Sequence, residues 1–141
     1  MAKLSSILLV DDDPTNNFLN QRLLLRLDAA ERILVAENGQ EALTMLHRDS
    51  TLPQPRYPNL ILLDVQMPVM GGIDFLRAYQ QLPPTQQQAS TIVMLTTSTD
   101  SQDLAHLEAL PAAGLVSKPL TPEKLALIFQ QYLPQEHSQQ A

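Results

Sequence analysis

The sequence has 141 residues, a length that fits one compact domain and excludes a second domain of ordinary size. The 44% hydrophobic and 17% charged residues are typical of a globular domain with its own core. Cysteine is absent, which excludes disulfides, Cys-ligated metals and thiol nucleophiles. Nine basic against fifteen acidic residues give a net charge of −6, which argues against direct binding to nucleic acid or anionic lipid. Four apolar residues near the N-terminus are too few for a signal peptide, and no stretch approaches a membrane span, so we expect a cytoplasmic protein.

Five short apolar runs predict five strands. Because the runs lack polar alternation, we expect strands that are buried on both faces, as in parallel sheets. The runs are residues 7–10, 33–35, 60–63, 92–95 and 115–116.

The segments that follow these runs carry helix signals in chain order. Four of them begin with a residue type that caps helices, namely Asp13, Asn38, Asp100 and Thr121. A third helix, between the second and fourth, is suggested by Phe75, Leu76 and Tyr79 and is expected to end at Pro83-Pro84. In the first helix, the apolar residues near helical spacing are Phe18, Leu19, Leu23 and Leu27. Residues 49–58 and 82–90 are polar or proline-rich and are predicted to be surface loops.

Strand and helix alternate five times, which predicts a doubly wound α/β domain with a five-stranded parallel sheet. The strand order that we expect is the flavodoxin-like order 2-1-3-4-5, in which strands 1 and 3 flank the point where the order reverses. We expect the domain to cover residues 5–133 and residues 134–141 to form a flexible tail. After the fifth predicted helix, we expect no DNA-binding or catalytic output domain.

Polar residues follow four of the predicted strands, where ligands bind in such sheets. Asp11 and Asp12 follow the first strand, Asp64 the third, Thr96 the fourth and Lys118 the fifth. Carboxylates that face one another repel unless a cation compensates, and Mg²⁺ prefers oxygen ligands. Asp13 precedes a proline and is interpreted as a helix cap, so it stays outside the metal set.

A carboxylate here can act as a nucleophile toward phosphorus, because with a reference pKa of about 4 it is already ionised at neutral pH. Its difficulty is approaching an anionic phosphoryl group. A metal ion, the Lys118 ammonium and the Thr96 hydroxyl would reduce that repulsion. The expected product is an aspartyl phosphate on Asp64.

Four segments with these residues resemble the signature segments of response-regulator receiver domains of the CheY-like kind. The segments read VDDDP at 10–14, LDVQMPVMGG at 63–72, MLTT at 94–97 and SKPL at 117–120. Each fragment alone is weak, but four in order at strand ends are specific. The resemblance covers nearly the whole chain.

The resemblance implies that Asp64 accepts a phosphoryl group from a phosphohistidine on a sensor histidine kinase or histidine phosphotransfer protein. It implies that Mg²⁺, for which Mn²⁺ can substitute, is bound directly by Asp12, Asp64 and the backbone carbonyl of Gln66, and by Asp11 through a water. It places Thr96 and Lys118 on the phosphoryl group and predicts a cis Lys118-Pro119 bond.

The function implied is a phosphorylation-operated signalling switch and not an enzyme, with self-catalysed phosphotransfer and slow autodephosphorylation. Its output would be contact with an unknown target protein, and a homodimer would use the fourth predicted helix, the fifth strand and the fifth predicted helix. Many receivers have Tyr or Phe three residues before the lysine, where this chain has Leu115. In those receivers the aromatic side chain turns inward as the threonine moves. The resemblance therefore supports phosphorylation of Asp64 more strongly than it supports this coupled movement.

Three alternatives stay open at this point. A Mg²⁺-dependent phosphatase of the haloacid-dehalogenase type would need an acid where Gln66 stands and a nucleophile after the first strand. A flavin mononucleotide carrier would need a phosphate-binding turn where this chain has aspartates. A phosphate-independent interaction module would not need the full polar set. His47, His106 and His137 show no ligand spacing and are not credible phosphodonors.

Overall fold

The computed structural model describes residues 2–65, 67 and 70–134. The first half of the chain forms β1 (Leu4–Val10), α1 (Pro14–Arg26), β2 (Ala30–Ala36), α2 (Gly39–Ser50) and β3 (Leu60–Asp64). The second half forms α3 (Gly72–Tyr79), α4 (Pro84–Ala89), β4 (Thr91–Thr96), α5 (Ser101–Glu108), β5 (Gly114–Ser117) and α6 (Pro122–Gln131).

The strands form one parallel sheet in the order β2-β1-β3-β4-β5, which confirms the predicted fold class and strand order. Strand order reverses between β1 and β3, so helices cover both faces of the sheet. The carboxyl ends of β1 and β3 therefore lie side by side at the reversal.

The core consists of two apolar clusters, one on each face of the sheet. Successive residues of β1 point to opposite faces, so Ile7 and Leu9 join one cluster while Leu8 and Val10 join the other. The first cluster includes side chains from α1 and α6, and the second includes side chains from α2, α3 and α5. Burial on both faces explains the continuous apolar runs in the sequence.

The four predicted helix caps are confirmed. The side chains of Asp13, Asn38, Asp100 and Thr121 each accept a hydrogen bond from a backbone N–H two or three residues later. These contacts satisfy donors that have no partner inside the helix. The cap of α1 is also the third residue after β1, so it fixes where the chain leaves the sheet.

The predicted loop over residues 82–90 is wrong in part, because it contains the short helix α4. The pair Pro83-Pro84 begins this helix and does not end the preceding one, which stops at Tyr79. Residues 84–89 carry no apolar periodicity, so the sequence pattern did not indicate a helix there. The side chain of Gln87 donates to the carbonyls of Gln80 and Leu82, which ties α4 to the end of α3.

Two further differences concern the first third of the chain. Strand β2 is longer than the predicted run 33–35, because it pairs with β1 from its first residue, Ala30. Phe18 and Leu19 lie on the solvent side of α1, 55% and 56% exposed, although Leu23 of the same predicted set is buried. A period of 3.6 residues does not by itself identify the buried face where apolar residues are spread around the helix.

The predicted surface loop over residues 49–58 begins in the last two residues of α2 and then carries no helix or strand. Of the predicted tail, only Pro134 belongs to the described residues. Within the part of the chain that the structure describes, no helix has the length and apolar character needed to cross a lipid bilayer.

Candidate functional site

Strand register brings the predicted polar residues to one edge of the sheet. Val10 pairs with Leu63, so the next residues, Asp11 and Asp64, stand level on neighbouring strands. On the other side, Thr96 of β4 pairs with Ser117 of β5. The backbone N–H of Lys118 then donates to the Thr96 carbonyl at 2.8 Å, so the lysine continues directly from the sheet.

Three carboxylates converge at this edge. One carboxylate oxygen each from Asp11, Asp12 and Asp64 lies within 4.8 Å of the other two. Asp11 and Asp64 are buried, at 4% and 6% exposure, whereas Asp12 is exposed. The cluster is therefore open to solvent on the Asp12 side and closed beneath.

Among the described residues, the Lys118 ammonium compensates part of this negative charge. Lys118 Nζ lies 3.0 Å from Asp11 Oδ2 and 3.2 Å from Asp64 Oδ1. Burial lowers the pKa of Lys118, but the hydrogen bond to Asp11 and the charges of Asp11 and Asp64 outweigh burial, so the pKa lies above its ordinary value. Lys118 is consequently protonated at neutral pH, and the three carboxylates with one ammonium leave a formal excess of negative charge.

Thr96 is buried at 2% exposure next to this cluster, at the end of β4. Its Oγ1 accepts a hydrogen bond from the N–H of Ser98 at 3.0 Å. The Ser98 hydroxyl in turn donates to Asp103 Oδ2 at 3.1 Å, in the first turn of α5. The Thr96 hydroxyl keeps its own proton to donate, and its position is linked to the start of α5.

Local packing holds the acidic residues in place. The buried side chain of Asn17 in α1 donates to the Asp11 carbonyl at 2.8 Å, and Asp11 Oδ1 accepts from the N–H of Asp13 at 2.9 Å. A Cβ at Gly72 would lie 2.8 Å from Val65 Cα and 3.0 Å from the Asp64 carbonyl oxygen. Only glycine lets α3 start this close to the residue at the end of β3.

The structure also tests what the sequence predicted for several other residues. Asp13 caps α1, as predicted, and is not part of the three-carboxylate cluster. The Lys118-Pro119 bond is cis, as predicted. Leu115 is half-buried against the second core cluster. Gln66, whose carbonyl was predicted to bind metal, lies outside the described residues.

The two histidines that the structure describes lie outside the site. His47 and His106 are exposed on α2 and α5, consistent with the expectation that they are ordinary surface residues, and His137 lies outside the described residues.

Two residues near the site were not anticipated from the sequence. Asn17 supports the Asp11 backbone, and Lys124 contacts the segment that carries Lys118. Asn17 lies four residues after the cap Asp13, so its helical position faces back toward the end of β1. Both contacts join residues from different elements, and single-sequence patterns carry little information about such contacts.

The donor set fits a hard divalent cation. Three carboxylates offer oxygen ligands, and Mg²⁺ is commonly held by one or two carboxylates together with waters and a phosphate oxygen. The Lys118 ammonium and the buried Thr96 hydroxyl lie near these carboxylates, where they can meet the oxygens of a phosphoryl group. The site therefore combines a nucleophile, metal ligands and anion-binding groups.

Residues 7–130 match the family model described as the response regulator receiver domain. The chain is 32% identical over 126 residues to a two-component response regulator of Arabidopsis thaliana, covering 87% of this chain and 80% of that protein. It is 30% identical over 125 residues to a probable chemotaxis protein CheY of Rhizobium etli, covering 89% of each. The crystal structure of a two-component response regulator from Cytophaga hutchinsonii has a TM-score of 0.81 at 30% identity, over 92% of this chain and 96% of that one.

A longer relative is matched only in part. The chain is 30% identical to a protein-glutamate methylesterase/protein-glutamine glutaminase of Burkholderia thailandensis over 29% of the length of that enzyme. The match therefore concerns one portion of a larger protein.

Proposed function

The chain belongs to the response regulator receiver domain family, and from that premise we propose that Asp64 accepts a phosphoryl group from a phosphohistidine of a partner protein. In this step the P–N bond of the phosphohistidine breaks and a bond forms between phosphorus and a carboxylate oxygen of Asp64. The imidazole leaves with the electron pair of the broken bond and takes up a proton. The observation that carries the proposal is the convergence of Asp11, Asp12, Asp64 and Lys118 at the reversal point of the sheet.

Mg²⁺ is the proposed cofactor, and Mn²⁺ can substitute because it accepts the same oxygen ligands. Asp12 and Asp64 would bind it directly, together with the backbone carbonyl of Gln66, and Asp11 would bind it through a water. When bound, the ion neutralises negative charge on the carboxylates and on the incoming phosphoryl group. Asp11 also accepts the Lys118 hydrogen bond, so its carboxylate positions the lysine as well.

Lys118 and Thr96 are proposed to hold the transferred phosphoryl group. The Lys118 ammonium already lies 3.2 Å from Asp64 Oδ1, so a small side-chain movement brings it to a phosphoryl oxygen. The Thr96 hydroxyl donates to another phosphoryl oxygen while its Oγ1 accepts from Ser98. Donors fixed in place before the reaction need little reorganisation during it, which is the main electrostatic contribution to catalysis.

The donor is proposed to be a sensor histidine kinase or a histidine phosphotransfer protein in the cytoplasm. Helix α1, which begins directly after the acidic cluster, exposes Phe18 and Leu19 to solvent. Exposed large apolar side chains beside a reactive site favour a protein over a small molecule as the natural donor. Lys118 and Thr121 follow on the adjacent β5–α6 connection, and a 310 Å³ cavity lies between this connection and α1.

The output is proposed to be a change in protein contacts. A phosphoryl group shifts an equilibrium between two conformations only through its different affinity for each. Thr96 is connected through Ser98 to Asp103, so a shift of the threonine acts on the first turn of α5. The surface formed by α5, β5 and α6 is therefore the proposed contact surface for a target protein or for a second copy of this chain.

Phosphorylation of the purified protein tests this proposal. With Mg²⁺ and acetyl phosphate as donor, we expect intact-mass measurement to show a gain of one phosphoryl group. The gain should be absent in Asp64→Asn and without divalent ion. The matched control is Asp100→Asn, which makes the same change of charge and keeps a capping residue on α5.

The same assay with a phosphohistidine-bearing phosphotransfer protein tests the proposed class of donor, because the phosphoryl group should leave that protein as it appears on this one. No gain in the unsubstituted protein from either donor would overturn the proposal. Labelling that persists in Asp64→Asn would overturn the assignment of the residue.

A further inference from the structure

We propose that Lys124 is a positioning residue for phosphotransfer, because its ammonium holds the backbone on both sides of Lys118. This inference rests on the proposed function and concerns the same site. Lys124 lies in the first turn of α6 and is half-buried. It is not one of the groups that would touch the phosphoryl oxygens.

The Lys124 ammonium donates three hydrogen bonds to the residues on either side of Lys118. Lys124 Nζ donates to the Ser117 carbonyl at 2.8 Å, to the Ser117 hydroxyl at 3.0 Å and to the Pro119 carbonyl at 3.1 Å. An ammonium group has three N–H donors, and these three contacts account for all of them. The two residues that it contacts are the immediate neighbours of Lys118 in the chain.

Other bonds complete the restraint on this segment. The Lys118 N–H donates to the Thr96 carbonyl at 2.8 Å, which ties the segment to β4. The N–H of Lys124 itself donates to Thr121 Oγ1 at 3.2 Å, so the first turn of α6 is fixed to the same connection. The backbone of Lys118 is therefore held by β4 on one side and by α6 on the other.

This restraint on the backbone matters because the Lys118 ammonium has to move only a short distance during phosphotransfer. Its Nζ lies between Asp11 and Asp64, and phosphotransfer requires it to follow the phosphoryl oxygens on Asp64. With a fixed backbone, the four-carbon side chain makes that adjustment alone. With a loose backbone, the ammonium would spend less time in the reactive position, and displacements of about 1 Å at a reacting centre can cost up to about a hundredfold in rate.

If Lys124 had a purely structural role, its substitution would have a different effect. Its loss would lower the stability of α6 and leave the rate constant of a folded protein unchanged. Positioning of Lys118 instead predicts a slower chemical step at saturating donor, with unchanged half-saturating concentration of acetyl phosphate and unchanged Mg²⁺ affinity.

The test compares Lys124→Ala and Lys124→Arg with the matched control Lys3→Ala. Lys3 forms an exposed ion pair with Asp28 near the start of β1, so its removal makes the same change of charge far from the β5–α6 connection. Phosphorylation is followed by intact mass with acetyl phosphate at saturating Mg²⁺, at a temperature where thermal unfolding shows each variant to be folded. The Nζ resonance of Lys118 is followed by ¹⁵N NMR without a donor.

We expect Lys124→Ala to be slower by about tenfold at saturating acetyl phosphate. Its Lys118 Nζ resonance should shift or broaden, while Lys3→Ala should behave as the unsubstituted protein. Lys124→Arg should recover part of the rate, because guanidinium also donates to carbonyl oxygens. Should Lys124→Ala not fold, Ser117→Ala removes the hydroxyl contact alone and should slow the reaction by about two- to threefold.

An unchanged rate and an unchanged Lys118 resonance in folded Lys124→Ala would overturn this inference and leave the proposed function intact. The same two results in Ser117→Ala would do so if that variant has to be used. Absence of any phosphorylation in the unsubstituted protein would instead overturn the proposed function, and the Lys118 resonance would still report whether Lys124 positions that side chain.

Discussion

Strand β3 is bordered by a polar residue at each end, and the fold treats the two ends differently. At the amino end, Asn59 precedes the strand, and its side-chain Oδ1 accepts from the N–H groups of Ser5 at 2.9 Å and Ser6 at 3.1 Å. At the carboxyl end, Asp64 closes the strand beside two further carboxylates and one ammonium. The amino end is neutral and internally hydrogen-bonded, whereas the carboxyl end carries excess charge.

The difference shows where the fold accepts electrostatic repulsion between carboxylates. A neutral amide such as Asn59 satisfies two backbone donors without any charge to compensate. The acidic cluster costs repulsion between carboxylates, which the Lys118 ammonium offsets only in part. Natural proteins retain such arrangements at sites that bind a ligand. The amino end of the sheet therefore serves the fold, and the carboxyl end has the repulsion that we expect of the proposed site for a cation and a phosphoryl group.

The largest effect is expected from Lys118→Ala, which removes the ammonium group that forms ion pairs with Asp11 and Asp64. Phosphorylation by acetyl phosphate should slow by about 10² to 10³, the range for losing one preorganised donor to a developing charge. Mg²⁺ affinity should be equal or higher, because the ammonium no longer competes for Asp11 and Asp64. The measurement is the rate of mass gain together with a Mg²⁺ titration.

The same substitution should also change the stability of the protein, in a way that depends on Mg²⁺. Without Mg²⁺, Lys118→Ala should unfold at a lower temperature than the unsubstituted protein, since the buried carboxylates Asp11 and Asp64 lose their cation. Added Mg²⁺ should recover most of the loss, because an ion that binds only the folded state stabilises it. A rate equal to that of the unsubstituted protein would contradict the role assigned to Lys118.

A smaller effect, on stability alone, is expected at the other end of the strand. Asn59→Ala leaves the N–H groups of Ser5 and Ser6 without their acceptor, which should lower the free energy of unfolding by about 1 to 3 kcal/mol. Denaturant unfolding measures the loss. The phosphorylation rate of the folded variant should not change, because Asn59 lies at the opposite edge of the sheet from Asp64.

The matched substitution Asn59→Asp keeps an acceptor oxygen at the same place and should lose less stability than Asn59→Ala. If Asn59→Ala slowed phosphorylation while remaining folded, the division of the sheet into a structural end and a reactive end would be wrong.

Most of the fold could be predicted because its determinants are local or periodic. Caps such as Asp13 and Thr121 act on backbone groups two or three residues away, so residue type and order identify them. Strand order followed from the alternation of strands and helices and from the resemblance. Helix α4 could not be predicted, because it depends on contacts such as those of Gln87 with the end of α3, which no apolar pattern marks.

The residues of the candidate site also divide into those that the sequence could predict and those that it could not. Asp64 and Lys118 were identified because each comes at the end of an apolar run in the sequence, and parallel strands bring such ends together. Asn17 and Lys124 were missed, because each acts through a contact to the backbone of another element. An asparagine or lysine on a helix carries no sequence signal for such a contact.

The smallest change in stability is expected from Asp12→Asn. This substitution distinguishes the repulsion that the Asp12 carboxylate adds to the cluster from its proposed binding of Mg²⁺. Asp12 is the exposed member of the cluster, so its carboxylate contributes repulsion and a metal ligand but little packing. Without Mg²⁺, the variant should be more stable by up to about 1 kcal/mol, the range for exposed charge pairs. Its Mg²⁺ affinity should fall by at least about tenfold, since affinity in such sites follows the number of charged ligands.

Asp13→Asn is the matched control, because it makes the same change of charge one residue later and keeps a capping side chain for Thr15. Its Mg²⁺ affinity should stay close to that of the unsubstituted protein. If both variants lost the same Mg²⁺ affinity, the ion would be responding to the overall charge at the end of β1. A loss confined to Asp12→Asn means that a particular carboxylate binds the ion, and that the repulsion at the carboxyl end of the sheet is the cost of that binding site.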